Sequence, residues 1–206
     1  MVQQSPRSRG GIFVVLAVTI FLIISWNIWS SVDADTSSTT LQQTPVDMSD
    51  PVLSALKVSV QQTSSSPPKL TIGVTNSHSS PVTVFTWDSP LDSLAVQLGL
   101  LSFTPEGEDK PVEIPTIQVR RLMPPGDDAY VTIEPGQTKE REVLLKKPIV
   151  PLDQLQGKVK VVCQGRWRSV WAMKKEDISA EALESAGADK DALKGNFESE
   201  PVDIEL

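Results

Sequence analysis

The chain has 206 residues, 39% of them hydrophobic and 22% charged, with 19 Lys and Arg against 26 Asp and Glu and a formal net charge of −7. An acidic balance of this size argues against a nucleic-acid partner, because binding phosphates requires a basic surface. One histidine and one cysteine can supply neither the ligand set of a zinc hydrolase nor an internal disulfide, so stability must come from packing.

In chain order, residues 1–11 read as a short cytosolic tail that carries Arg7 and Arg9. Ile12 to Trp29 (IFVVLAVTIFLIISWNIW) is the only long apolar run and contains no charge. As a helix it would reach roughly 27 Å, close to the hydrocarbon thickness of a bilayer. The spacing predicts a transmembrane signal-anchor over 12–30. Its lipid contact would be made by Ile12, Phe13, Leu16, Ile20 and Leu22, with Trp26 and Trp29 at the far headgroup layer. Both flanking cations precede the run and the next is Lys57, which sets the amino-terminus on the cytosolic side. The same residues also fit a secretory signal, with Ile12 to Ile24 as its apolar core and cleavage after Val32-Asp33-Ala34, giving a secreted chain. On either reading the bulk of the chain crosses a membrane, and that bulk holds 17 basic against 26 acidic residues.

The Ser-, Thr-, Gln- and Asp-rich stretch over 31–50 reads as a flexible linker, and residues 51–206 are long enough for one domain with a proper core. From there the apolar pattern has period two. Leu56, Val58 and Val60 alternate with Lys57, Ser59 and Gln61, and Leu70, Ile72 and Val74 alternate with Thr71, Gly73 and Thr75. Val82 and Val84 share one face while Phe85 and Trp87 share the other, as in a central strand covered on both sides. Further strands are predicted at Leu94 to Phe103, Val112 to Arg121, Tyr130 to Ile133, Lys139 to Leu145, Lys158 to Ala172 and Phe197 to Leu206. Short strands separated by frequent turns predict an all-β, immunoglobulin-like antiparallel β-sandwich. One short helical insertion is predicted between Ile178 and Lys194, capped by Ser179 and stopped by Gly187 and Gly195.

Four segments resemble the pro-domain of fungal deuterolysin metalloproteases and the small stand-alone fungal proteins related to it. These are Leu70 to Leu91 (LTIGVTNSHSSPVTVFTWDSPL), Ile114 to Arg120 (IPTIQVR), Ile133 to Gly136 (IEPG) and Ile149 to Leu152 (IVPL). The resemblance runs over about Ala55 to Val170 and implies an immunoglobulin-like sandwich that, in the proteases, assists or restrains a zinc catalytic domain. This chain has no His-Glu-x-x-His, its only histidine is His78, and Asp88-Ser89 stand where Asn-Thr is usual. The implied fold therefore carries over, and the pro-domain role does not.

Candidate chemistry is sparse. His78 lies in the turn-forming run Asn76 to Pro81, and Cys163 alternates with Val159, Val161, Trp167 and Trp171, which predicts a loop histidine and an inward thiol. Asp88 and Asp92 bracket Ser-Pro-Leu, and Asp127-Asp128 follow Pro-Pro-Gly. Each pair suits an Asx-type turn better than acid and base catalysis or calcium binding. In Gly165 to Lys175 (GRWRSVWAMKK) the alternation puts Trp167 and Trp171 inward and Arg166 and Arg168 outward. The expectation is a non-catalytic domain, with no cofactor or metal, displayed on the lumenal or extracellular side of a membrane. It would contact an unidentified protein through Asp88, Asp92, Arg166 and Arg168 and the loops after Trp87 and Arg121. The alternatives are an accessory enzyme or ligand carrier of a membrane-associated biosynthetic pathway, with a cleft near Trp87, Phe103 and Trp167, and a protease inhibitor or chaperone acting in trans.

Overall fold

The computed structural model of the protein describes residues 50–188 and 190–206. The predicted anchor over 12–30, with Ile12, Phe13, Leu16, Ile20, Leu22, Trp26 and Trp29, lies outside them. Among the described residues no helix is long and apolar enough to cross a membrane.

The described residues open with one helical turn, α1 (Pro51–Ala55). Asp50 caps it by accepting from the Val52 amide at 2.9 Å, and Pro51 sits where a missing N–H does no harm. Nine strands follow among the described residues: β1 (Leu56–Ser65), β2 (Pro68–Asn76), β3 (Val82–Phe85), β4 (Leu101–Pro105), β5 (Tyr130–Ile133), β6 (Thr138–Leu144), β7 (Lys158–Trp171), β8 (Leu193–Glu198) and β9 (Val202–Glu205). A second helical turn, α2 (Ala180–Glu184), precedes β8 and is capped by Ser179. All pairings are antiparallel.

Two sheets result. The smaller has the order β1-β2-β6, and the larger is built around β7. The amino-terminal half of β7 lies between β4 and β9, its carboxyl-terminal half lies between β3 and β8, and β5 extends the sheet beyond β3. Alternation puts Val58, Val60, Leu70, Ile72 and Val74 of the first sheet against Val84, Phe103, Val159, Val161, Cys163 and Trp167 of the second. The period-two runs of the sequence are thus the two inner faces of a sandwich. A second cluster, comprising Phe85, Ala129, Tyr130, Trp171, Ile178, Ala182 and Ala192, forms where the α2 segment closes over one end of β3, β5 and β7.

Several predicted elements are redrawn. Over the predicted strand Leu94 to Phe103, only Leu101 onward is extended. The Asp92 carboxylate accepts the Leu94 amide at 2.9 Å, and tight bonds such as Leu98 N–H to Leu94 C=O curl the chain until Gly99 reverses it at φ +76°. Val112 to Arg121 is irregular, since Pro111 and Pro115 remove ladder donors and only isolated bonds, such as Val112 N–H to Phe103 C=O, tie it down. The predicted helix between Ile178 and Lys194 contracts to α2, because Gly187 takes φ +76° and the chain then enters β8. The predicted last strand is two. Pro201 cannot donate, and Ser199 bridges the break by giving its amide to the Cys163 carbonyl and accepting the Cys163 amide on Oγ.

Candidate contact site

The site is built on the turn that follows β3. Thr86 gives both its amide and its hydroxyl to the Ala129 carbonyl, and Ser89 Oγ donates to the Thr86 carbonyl at 2.7 Å while accepting the Leu91 amide. Asp88 adopts φ +57°, a conformation that Asp tolerates better than most residues, and this aims the backbone at Asp92. Asp92 is buried. Its Oδ1 accepts the Leu94 amide, and its Oδ2 accepts the Asp88 amide at 2.8 Å and a guanidinium N–H of Arg121. The expected exposed pair Asp88 and Asp92 is thereby divided. Asp92 is no surface contact residue, because its oxygens are committed to holding the turn and the loop, whereas Asp88 remains at the rim.

Arg121 does two things at once. It is ion-paired to Asp92 and lies over the ring of Trp87, 5.2 Å from the centroid. Trp87 packs on Phe85 at 4.9 Å, Phe85 on Tyr130 at 5.2 Å, and Tyr130 on Trp171 at 6.0 Å. On the other side Arg168 lies over Phe85 and bonds Asp88 Oδ2 at 2.7 Å. Two arginines, 47 positions apart in the chain numbering, thus clamp one aromatic row through two carboxylates. The Tyr130 hydroxyl donates to the Leu183 carbonyl, which ties the row to α2, and burial pushes its pKa up to about 12.

The remaining candidates fall into place around this platform. Arg166 is exposed opposite Asn196 and takes no part in the clamp, so only Arg168 of that pair belongs to it. Lys174 pairs with Glu134 and Lys175 with Asp127, so the basic run is used up locally. Phe103 and Trp167 belong to the main core, and Trp87 packs against the second cluster. His78 accepts the Ser80 amide on Nδ1 inside its turn, beside the buried Asn76, whose side chain bonds Ser80, Ile133 and His78. Cys163 is fully buried, and burial pushes its thiol up to about 12. Thiol reagents should therefore fail to label the native protein at neutral pH and label it fully once it unfolds. The folded thiol binds its proton more tightly than the unfolded one, so its contribution to stability is complete below about pH 9 and is lost as pH rises from there toward 12. Labelling before and after unfolding checks the first point, and alkaline unfolding followed by thiolate absorbance checks the second.

Sequence reasoning named the loop after Arg121 but no side chain within it. Leu122 is 87% exposed, Met123 58% and Ile117 47%, all in the irregular segment between β4 and β5. The segment lies on Arg121, which the Asp92 pair and the Trp87 ring hold in place. Adjacent Arg-Arg-Leu-Met-Pro-Pro in a long loop was the available signal, since apolar side chains there have no strand to bury them.

The fold defines the class. A family model for the immunoglobulin-like domain matches residues 55–206, and the chain belongs to that family. It is also similar to a protein of Arthroderma benhamiae described as an uncharacterized secreted protein. The two are 29% identical over 141 residues, which cover 68% of this chain and 70% of the relative.

Proposed function

We propose that this protein displays a non-catalytic immunoglobulin-like domain on the lumenal or extracellular side of a membrane, held by the run Ile12 to Trp29. The domain contacts another protein through the loop that carries Leu122 and Met123. The single observation behind this reading is that two large apolar side chains stand bare on a segment whose base is locked by a buried ion pair. Apolar groups scattered singly on a surface need no explanation. Adjacent ones on a braced loop fit an anchor for a partner's pocket. The secretory side is supported by the charge-free run with its preceding arginines, and by the similarity to a fungal protein described as secreted. In this reading Asp88 and Arg168 form the polar rim beside the apolar tip. The resemblance to deuterolysin pro-domains adds a candidate partner class, a protease acted on in trans.

Replacing both Leu122 and Met123 with Asp removes the apolar contact and should weaken partner binding by about 30-fold or more, equivalent to about 2 kcal/mol, without lowering the melting temperature. Proximity labelling with the full-length chain and with this variant, compared quantitatively, reads the effect. An unchanged labelling profile would remove the loop from the proposal. Carbonate extraction of the same membranes tests the anchor. Retention in the pellet is expected, whereas release as a soluble chain beginning at Asp35 would make the protein a secreted one.

A further inference from the structure

We infer that the outer edge of β8 pairs, antiparallel, with the β8 of a second copy of this chain. The two edges on this side of the sandwich are treated differently. Beside β9, Gln62 of β1 reaches across, its amide donating to the Glu205 carbonyl at 2.7 Å and accepting the Glu205 amide at 3.0 Å, as a neighbouring strand would. Beside β8, no strand or side chain among the described residues does this. Instead the two sheets part to leave a groove of about 440 Å³, lined by Leu53, Leu56, Val58, Trp167 and Phe197.

Which groups lie along that edge follows from the register. Cys163 directs its amide and carbonyl to Ser199, so by alternation Gly165 and Trp167 bond to Phe197 and Gly195, their partners in β8. The backbone groups of Lys194, Asn196 and Glu198 therefore point away from β7, and their side chains are exposed. An edge strand with free N–H and C=O groups is a template for another strand, and a lysine on it ordinarily repels newcomers. Here the charges select the occupant. If two copies of β8 cross antiparallel with Asn196 on the two-fold axis, Lys194 of each faces Glu198 of the other, and the two asparagines form a hydrogen-bonded pair. The lysine that blocks a foreign strand is matched by this one. The interface is isologous and closes on itself, and the second strand covers the mouth of the groove.

The geometry fixes the test. In a hydrogen-bonded antiparallel pair the Cα atoms are about 5.5 Å apart, within the range a disulfide spans. Asn196→Cys in the full-length chain in mild detergent should cross-link under oxidation into a dimer that reductant dissolves, and the buried Cys163 should not interfere. Lys194→Cys should not cross-link, since its two thiols lie roughly 14 Å apart along the strands. In sedimentation velocity, Lys194→Glu should lose the dimer, and Lys194→Glu with Glu198→Lys should regain it. Equal cross-linking of the two cysteine variants would overturn the proposal, as would a mass unmoved by charge reversal. A monomer whose β8 edge is held by an extended peptide of another protein would overturn it too.

Discussion

Asp92→Ala should lower the stability of the domain by about 3–5 kcal/mol, a larger loss than any surface substitution would give. Asp92 is 3% exposed and accepts three bonds, from the Asp88 and Leu94 amides and from Arg121. Removing the carboxylate leaves two amides without their acceptor and a partly buried guanidinium without its counter-charge, and such losses fall in this range. For a domain of this size the melting temperature should drop by about 10 °C. Asp92→Asn keeps the shape and one acceptor oxygen, so it should cost roughly half as much. The Asp92→Ala and Arg121→Ala cycle should show a coupling energy above about 1 kcal/mol, since the residues share one contact. Denaturant unfolding measures all of these. A loss below about 1 kcal/mol for Asp92→Ala would mean that the turn holds itself without the carboxylate.

Trp167→Ala carries the second large effect, at about 3–5 kcal/mol. Trp167 sits in the carboxyl-terminal half of β7, is 1% exposed, and packs on the ring of Phe197 at 4.8 Å. Gly165 makes room for that ring, since a Cβ there would lie 2.7 Å from Phe197 Cζ and 3.0 Å from a Leu100 methyl. With no side chain at Gly165 to move into the void, the cavity left by the indole stays open, which places the expected cost at the upper end. Trp167→Phe should recover more than half of the loss. Equal losses for Ala and Phe would show that the indole shape, rather than the filled volume, is what the core requires. Because Phe197 belongs to β8 and packs on Trp167, Trp167→Ala should also weaken β8 pairing.

The parts of this fold legible in the sequence are those that obey a local rule. Leu56, Val58 and Val60 alternate because one face of β1 is buried, and the same rule sorts Trp167 and Trp171 inward from Arg166 and Arg168. Asx turns are also local, and Asp92 makes one. The misreadings come from residues whose conformation is set at a distance. Leu94, Val96, Leu98 and Leu100 alternate with Ala95, Gln97 and Gly99 as a strand would, yet the Asp92 cap and Gly99 curl them into turns. The platform joins Asp92 to Arg121 and Asp88 to Arg168, pairs that no spacing rule links, since each forms only when β3 is brought beside β5 and β7. Asp88, Asp92 and Arg168 were legible as candidates and Arg121 only as the start of a loop. That one of the two acids is buried and spent on structure follows from the tertiary fold alone.

The measurement that bears most directly on the account is site-specific photo-cross-linking in cells, with the photoreactive residue placed at Leu122 in one full-length chain and at the exposed Leu144 of β6 in another. A discrete adduct from position 122 that position 144 does not give, and that disappears with Asp92→Asn or Arg121→Ala, is the result expected of a braced loop presented to a partner. The same adducts from both positions, or none from position 122, would contradict it.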